Sequence, residues 1–134
     1  MKNIRVVSLI ALTSALSACA NKSAESIYSE NQGSLRLSSE RLQTIFDGNT
    51  LEWADGTVVY YNGSEIRASE SDGTVIVGTI RFTDNLHCRS WNGGNEKCST
   101  VYEDGKGKLF FFVDGKPDSS GGYGRIVAGN PNQL

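Results

Sequence analysis

Two cysteines and the only histidine of the chain lie in one short stretch, HCRSWNGGNEKC, which runs from His87 to Cys98. Imidazole and thiol groups this close in sequence could bind a metal ion, form a redox-active pair or join the cysteines in a structural disulfide. To choose among these three kinds of site, one needs to know which secondary-structure element carries the residues. The segment 92–94, Asn-Gly-Gly, is a turn signal between two strand-like runs, so the stretch is interpreted as a β-hairpin.

The register of this hairpin favours the disulfide. A three-residue loop over 92–94, with glycine in the left-handed conformation, pairs Cys88 directly with Cys98, whereas a two-residue loop would pair Cys88 with Ser99. Directly opposed residues have Cα atoms ~4.5 to 5.5 Å apart, within the range that a disulfide spans. A metal site is disfavoured because His87 and Cys88 point to opposite faces of a strand. A redox pair usually has the closer CxxC spacing. We predict a disulfide between Cys88 and Cys98, no metal and no cofactor.

The chain carries few of the groups that catalysis needs. No GxSxG or other nucleophile motif accompanies His87, which we interpret as a surface or partly buried strand residue. The carboxylates of Asp114 and Asp118 lie in a turn-like segment whose spacing does not fit a calcium loop. The sequence also lacks a phosphate-binding loop and a basic stripe with interleaved aromatic residues. We therefore predict a protein that is not an enzyme and has no nucleic-acid partner.

The elements that must position these residues are short strands joined by tight turns. One helix is predicted over 37–46, with Ser38 or Ser39 as its N-cap. Sequential antiparallel strands leave two open edges unless their sheet closes. The sequence thus predicts an all-β fold, an antiparallel meander closing into a calycin-like barrel of about eight strands with a short N-terminal helix; a β-sandwich is the alternative. The predicted strands are 50–53, 58–61, 65–68, 74–82, 86–91, 97–102, 108–113 and 123–128.

Three consecutive phenylalanines, 110–112, place aromatic rings on both faces of their strand. Rings on one face fill the barrel. At least one ring on the other face must be exposed or covered by another element, such as the N-terminal helix. An exposed ring would mark an interaction surface.

The N-terminal residues have the organisation of a secretory signal. A basic start precedes an apolar run over 6–16, which is shorter than the ~20 residues needed to span a bilayer. Leu16-Ser17-Ala18-Cys19 resembles the lipobox of bacterial lipoproteins. The resemblance implies cleavage before Cys19, acylation of this cysteine with palmitate or a similar chain, and anchoring in a membrane through the lipid. Ala20 follows in place of aspartate, which in that class favours the outer membrane, on its periplasmic or its surface face.

These features divide the chain into a lipoprotein signal peptide (1–18), the lipidated Cys19 with a flexible tether (19–36) and a barrel domain (37–134). The tether is predicted from its small and polar residues. After removal of Lys2 and Arg5 with the signal, 11 basic side chains face 15 acidic ones. Such a mixed, mildly acidic surface gives no reason to expect nucleic acid or anionic lipid as a partner.

The glycine-rich segment before the last strand is the candidate binding loop: Ser119, Ser120, Gly121, Gly122 and Tyr123. It is similar to the Ser-Gly-x-x-Tyr loop of bacterial lipoproteins that inhibit c-type lysozyme, which are small disulfide-bearing β-barrels. Here the spacing from Ser120 to Tyr123 is one residue shorter, which shifts the serine hydroxyl relative to the tyrosine.

A second resemblance, to a family of small secreted bacterial domains of unknown function, covers residues 46–134. It rests on Phe46-Asp47-Gly48-Asn49-Thr50, on the central cysteine pair and on Gly129-Asn130-Pro131. This resemblance implies a fold and a compartment only.

Together these patterns predict an outer-membrane-anchored lipoprotein whose barrel binds a protein, an envelope component or a small apolar ligand without catalysing a reaction. One alternative is a lysozyme-type inhibitor that acts through Ser120 and Tyr123. The other is a purely structural envelope lipoprotein. A cavity in the barrel would favour a small ligand, and a filled barrel with an exposed aromatic patch would favour a protein partner.

Overall fold

The structure, a computed structural model, describes residues 22–31, 34–118 and 122–134. Its helices are α1 (Ala24–Asn31) and α2 (Ser39–Phe46). None of the described helices has both the length and the apolar character needed to cross a membrane. The described strands are β1 (Leu35–Arg36), β2 (Thr50–Trp53), β3 (Val58–Asn62), β4 (Glu65–Ser69), β5 (Val75–Thr83), β6 (Leu86–Trp91), β7 (Lys97–Glu103), β8 (Leu109–Val113), β9 (Lys116–Pro117) and β10 (Tyr123–Val127).

Eight of these strands form a closed antiparallel barrel, which confirms the predicted fold. From β2 to β8 each strand pairs with the next along the chain, β8 also pairs with β10, and β10 pairs with β2 to close the ring. The two-residue strands β1 and β9 pair with β7 and β8 beside this ring. Closure leaves no open sheet edge in the ring, so every strand of the ring pairs on both sides.

The hairpin of β6 and β7 has the predicted register. Cys88 pairs with Cys98, their Cα atoms are 4.0 Å apart, and the two form a disulfide on the outer face of the barrel. The turn differs in detail from the prediction. Both Asn92 (φ 49°) and Gly93 (φ 68°) are left-handed, and the Gly94 amide donates a hydrogen bond to the Trp91 carbonyl at 2.8 Å. Asparagine tolerates this conformation, so the tighter turn forms in the same register.

Helix α2 closes one end of the barrel, in the position and with the cap that the sequence predicts. The Ser38 hydroxyl accepts a hydrogen bond from the Arg41 amide at 3.2 Å and caps the helix N-terminus. The buried side chains of Leu42 and Phe46 then pack into the barrel. They join a core that contains Leu51, Val59, Tyr61, Ile66, Ile80, Val101, Leu109 and Phe111.

Hydrogen bonds fasten this helix to the adjacent turns. The Ser39 amide donates to the Asn85 side chain at 2.9 Å, and the Asn85 amide donates to the Ser39 hydroxyl at 2.7 Å. Just after the helix, the Asp47 carboxylate accepts from the Gly63 amide at 2.9 Å. The β3–β4 and β5–β6 turns therefore lie at the end that α2 closes.

Helix α1 covers aromatic rings on the outer face of β7 and β8. The Tyr28 ring centroid lies 4.6 Å from that of Phe110 and 5.5 Å from that of Phe112. The outward rings of the phenylalanine run are thus covered by α1, whereas the sequence suggested the helix at 37–46. Glu25 adds polar contacts, because its carboxylate accepts hydrogen bonds from the hydroxyls of Thr100 and Tyr102.

Part of the range expected to be a flexible tether, 19–36, therefore contains two elements, α1 and β1. The reason is the strand alternation of β8, which turns apolar rings outward and so creates a surface that a neighbouring segment can bury. The Glu25 amide also donates to the Gly115 carbonyl at 3.2 Å, which places the start of α1 beside the β8–β9 turn. The predicted lipid site, Cys19, lies outside the described residues.

Candidate functional site

The end of the barrel opposite to α2 is open. Successive turns of a meander lie at alternate ends, so the β2–β3, β4–β5 and β6–β7 turns surround this opening. A cavity of about 490 Å³ extends from it into the barrel, within the ~300 to 1,000 Å³ typical of small-molecule sites. Its lining comes from strands β2 to β7 and their turns and includes Trp53, Val59, Tyr61, Ala68, Ile76, His87, Arg89, Trp91 and Lys97.

Both tryptophans of the chain line this cavity. Trp53 packs against Phe111, with 4.7 Å between the ring centroids. Trp91 lies on the backbone of Gly78, where an added Cβ would come within 2.7 Å of the indole and within 2.3 Å of the Ser90 carbonyl oxygen. Glycine at position 78 therefore makes the space that the Trp91 ring occupies. The two indoles give the cavity aromatic walls.

A buried pair of polar rings forms the base of the cavity. The Tyr61 hydroxyl and His87 Nε2 are 2.9 Å apart, and both side chains are almost fully buried. Below them Phe46 contacts both rings, with centroid distances of 4.7 Å to Tyr61 and 5.2 Å to His87. The sequence had suggested a surface or partly buried histidine. His87 is instead 1% exposed, because its strand position points into the barrel.

Neither ring of this pair is charged at neutral pH. Burial, and then the positive charge of Arg89, lower the pKa of His87 from 6.5 to about 3. Burial raises the pKa of Tyr61, and Arg89 offsets only part of this effect. His87 Nδ1 has no hydrogen-bond partner among the described residues. A neutral histidine with so low a pKa is a poor general base, since proton transfer near pH 7 is efficient when the pKa lies near 7.

One wall of the cavity carries a buried ion-pair network. Arg89 and Lys97 oppose each other in the β6–β7 ladder, and both bind the carboxylate of Asp118. The Lys97 ammonium lies 3.0 Å from Asp118 Oδ1, and Arg89 also donates to the Ser99 hydroxyl at 3.4 Å. Arg89 and Asp118 are 8% and 5% exposed, so their ion pair is held away from water, whereas the Lys97 side chain is partly exposed at the opening. Two cations on one carboxylate leave an excess of positive charge on this wall.

Acidic side chains line the cavity on another side. Asp55 lies in the β2–β3 turn and Glu70 directly after β4. One oxygen of Asp55 accepts a hydrogen bond from the Thr57 amide at 2.9 Å. Glu70 is exposed, and no ion pair joins it to another residue within 22–31, 34–118 or 122–134. The opening thus has a basic side and an acidic side.

The disulfide lies next to residues of the cavity lining and fixes the register of the strands that carry them. Cys88 alternates with His87 and Arg89 in β6, so the bond lies outside the barrel while its neighbours point into the cavity. The same register sets Arg89 against Lys97 on the inner face. The sulfurs of Cys88 and Cys98 and a carboxylate oxygen of Glu96 are close enough for a metal site. The two sulfurs are joined to each other here, however, and only free thiolates are good metal ligands.

The two described residues of the predicted binding loop, Gly122 and Tyr123, are not part of the cavity lining. The other loop residues, Ser119, Ser120 and Gly121, lie outside the described part of the chain. Gly122 is exposed, and Tyr123 belongs to β10. The Tyr123 ring packs on the outer face of the barrel, 6.1 Å from Phe110 and with the Lys108 ammonium 4.4 Å above it. The residue just before the predicted loop, Asp118, is the one that reaches the cavity wall.

Sequence reasoning missed the charged wall. Arg89 and Lys97 looked like ordinary polar strand residues, and Asp118 looked like a turn residue. One signal was present in the sequence. Arg89 lies two residues from His87 and two from Trp91 in the same strand, so the three side chains point to the same face, and all three line the cavity. Alternation therefore predicts that they share a face, but nothing in the sequence marks Asp118 as their neighbour.

Comparison of the chain with protein-family models, with curated proteins and with solved structures gave no match. The barrel and its open cavity are therefore the basis on which the function of this chain is inferred.

Proposed function

We propose that this chain is a lipoprotein of the outer membrane, anchored through acylated Cys19, whose barrel binds a small ligand without catalysing a reaction. The anchor is inferred from the lipobox-like Leu16-Ser17-Ala18-Cys19, and the binding role from the open cavity of about 490 Å³ with both tryptophans in its lining. An eight-stranded barrel can be filled by its own side chains or can hold one small ligand. A barrel that served only as a spacer would gain packing energy by filling this space.

The chemistry of the lining supports an amphipathic ligand rather than a purely apolar one. Indole rings and aliphatic side chains surround the cavity, but a guanidinium, an ammonium and a neutral imidazole also line it. The Lys97 ammonium uses one of its three donors on Asp118 and is partly exposed at the opening, so a polar group of a ligand can bind to it. The low pKa of His87 supports binding over acid–base catalysis.

The binding proposal can be tested with the tryptophans as reporters. N-phenyl-1-naphthylamine, a fluorescent hydrophobic probe, is titrated into the mature domain with Cys19 replaced by serine, and energy transfer from Trp53 and Trp91 is recorded. We expect saturable binding with one probe per chain. The substitution Ala68→Leu fills part of the cavity and should weaken binding at least tenfold.

The matched control is Ala128→Leu, which adds the same side chain at an exposed position after β10. This variant should bind the probe like the unmodified protein. Equal binding by the two leucine variants would show that the probe does not enter the cavity, and the proposal would then fail.

The anchoring part of the proposal needs its own experiment. Cells that express the full chain are labelled with an alkyne analogue of palmitate, and their membranes are separated by density. We expect the label on the protein and the protein in the outer-membrane fraction, with both lost in Cys19→Ser. A mature protein that lacks the label, or whose outer-membrane location does not depend on Cys19, would contradict the anchor.

A further inference from the structure

The order of the strands in the closed ring shows which sides of the opening face each other. In the order β2-β3-β4-β5-β6-β7-β8-β10, β2 lies across the barrel from β6, and β3 lies across from β7. The β2–β3 turn with Asp55 therefore faces the β6–β7 hairpin with Arg89 and Lys97. Glu70 follows β4, which is one strand from β3 and three strands from β7 in the ring, so it lies nearer to Asp55 than to Lys97 around the opening. Opposite charges thus stand on opposite sides of one opening.

Each side of the opening has hydrogen-bonding groups that a ligand can use. An ammonium has three donors, and Lys97, whose side chain is 46% exposed, uses one of them on Asp118 within the described part of the chain. On the other side, the Glu70 carboxylate is exposed, and one Asp55 oxygen remains beyond the hydrogen bond to Thr57. A ligand anion would find donors on the basic side, and a ligand cation would find acceptors on the acidic side.

The space between the two sides is apolar. Trp53, Val59, Ala68, Ile76 and Trp91 line it. A ligand that satisfies both sides therefore carries a positive group and a negative group separated by an apolar middle part. A single α-amino acid holds its two charged groups on one carbon atom, whereas Asp55 and Lys97 belong to strands and turns that face each other across the barrel. A chain of two residues separates its termini by roughly 7 Å, at ~3.3 to 3.6 Å per residue.

We infer that the ligand of this cavity is a short apolar peptide with free termini, its amino group on the side of Asp55 and Glu70 and its carboxylate on the side of Lys97. The inference rests on the proposed function, because it names the ligand class of the same cavity. Peptide side chains contact the two indoles, and the charged termini set the orientation of the peptide.

A series of probes that differ only in charge tests this ligand class. Tryptophan fluorescence of the mature domain is titrated with leucyl-leucine, N-acetyl-leucyl-leucine, leucyl-leucine amide and free leucine. We expect leucyl-leucine to bind at least tenfold more tightly than each of the other three. Equal affinity for the dipeptide and either blocked form would overturn the inference, as would tighter binding of free leucine.

Two substitutions test the orientation. Glu70→Gln should weaken leucyl-leucine and its amide at least fivefold and leave the acetylated form unchanged, because only the first two carry an amino group. Lys97→Gln should weaken leucyl-leucine and the acetylated form and leave the amide unchanged. Glu52→Gln and Lys106→Gln, at exposed positions outside the cavity lining, are the charge-matched controls and should change no affinity. The reverse pattern of sensitivities would contradict the orientation.

Failure of this inference is distinguishable from failure of the proposed function. If N-phenyl-1-naphthylamine binds in the cavity and leucyl-leucine does not, the cavity binds ligands but the peptide assignment is wrong. The urea denaturation midpoint of each variant verifies that it is folded.

Discussion

The two ends of this barrel are built from the same strands and serve different purposes. At the closed end, α2 inserts Leu42 and Phe46 among inward side chains, and hydrogen bonds from Ser39 and Asp47 fasten the helix to neighbouring turns. At the open end, inward positions hold indoles and charged groups around a cavity. Apolar burial at one end supplies stability, while the other end keeps buried polar groups that packing alone would not select. The difference indicates that a small domain can separate its apolar core from an open cavity along one axis.

The largest expected effect comes from the same substitution made at each end. Ile66 and Ile76 point inward from the adjacent strands β4 and β5, but Ile66 is fully buried in the core, whereas Ile76 is partly exposed and lines the cavity. Ile66→Ala should lower the free energy of unfolding by about 2 to 5 kcal/mol, and Ile76→Ala by about 1 kcal/mol or less. Urea denaturation of both variants measures this. Equal losses would contradict the division between core and site.

Removal of the disulfide is expected to have the next largest effect. The cysteines are 10 residues apart in sequence, and the double substitution Cys88→Ser, Cys98→Ser should lower the free energy of unfolding by about 3 kcal/mol through the entropy of the unfolded chain. The unmodified protein under reducing conditions should show the same loss. If neither changes the denaturation midpoint, the bond does not constrain the unfolded chain.

Acidification should weaken the fold through the histidine at the boundary between the two regions. The pKa of His87 falls from 6.5 to about 3 on folding because of burial, so between these values the unfolded chain binds a proton that the folded chain does not. Unfolding therefore becomes easier as the pH falls from 7 to 5, by about 2 kcal/mol in total. Urea denaturation at both pH values measures this loss. His87→Gln should largely abolish it, and an unchanged loss in this variant would assign the effect to other groups.

The smallest effect is expected on the outer face of the open end. Arg81 Nε donates to a carboxylate oxygen of Glu96 at 2.6 Å, and both side chains are exposed. Solvent and salt weaken such a pair. Glu96→Gln should therefore leave the denaturation midpoint unchanged within error, at low and at high salt. A clear shift of the midpoint at low salt would show that this ion pair supports the hairpin in addition to the disulfide.

Much of the fold could be predicted because its signals are local. Turn residues with left-handed backbone, such as Asn92 and Gly93, mark the ends of strands. The alternation of apolar and polar residues in β5 indicates which of its side chains share a face. The disulfide register follows from one turn and one spacing. Closure into a barrel was favoured because a meander of about eight strands otherwise leaves open edges, with a β-sandwich as the alternative, and the structure shows the closed barrel.

The candidate site could be predicted only in part, because its contacts cross the barrel. Alternation places His87 and Arg89 on one face, but it does not identify the residues on facing strands or on the later segment that carries Asp118. The hydrogen bond between Tyr61 and His87 joins residues 26 positions apart. The position of α1 was missed for a similar reason, since the rings that it covers lie about 80 residues later in the sequence.

Helix α2 also bears on the kinetics of the protein. Under the proposed function, a molecule bound in the cavity would have to leave by the mouth through which it entered, because α2 fills the other end of the barrel. An incoming molecule cannot push out an occupant from behind, so exchange waits for spontaneous dissociation. Residence time is then a property of the mouth alone, and two compounds that use the cavity compete strictly for one place.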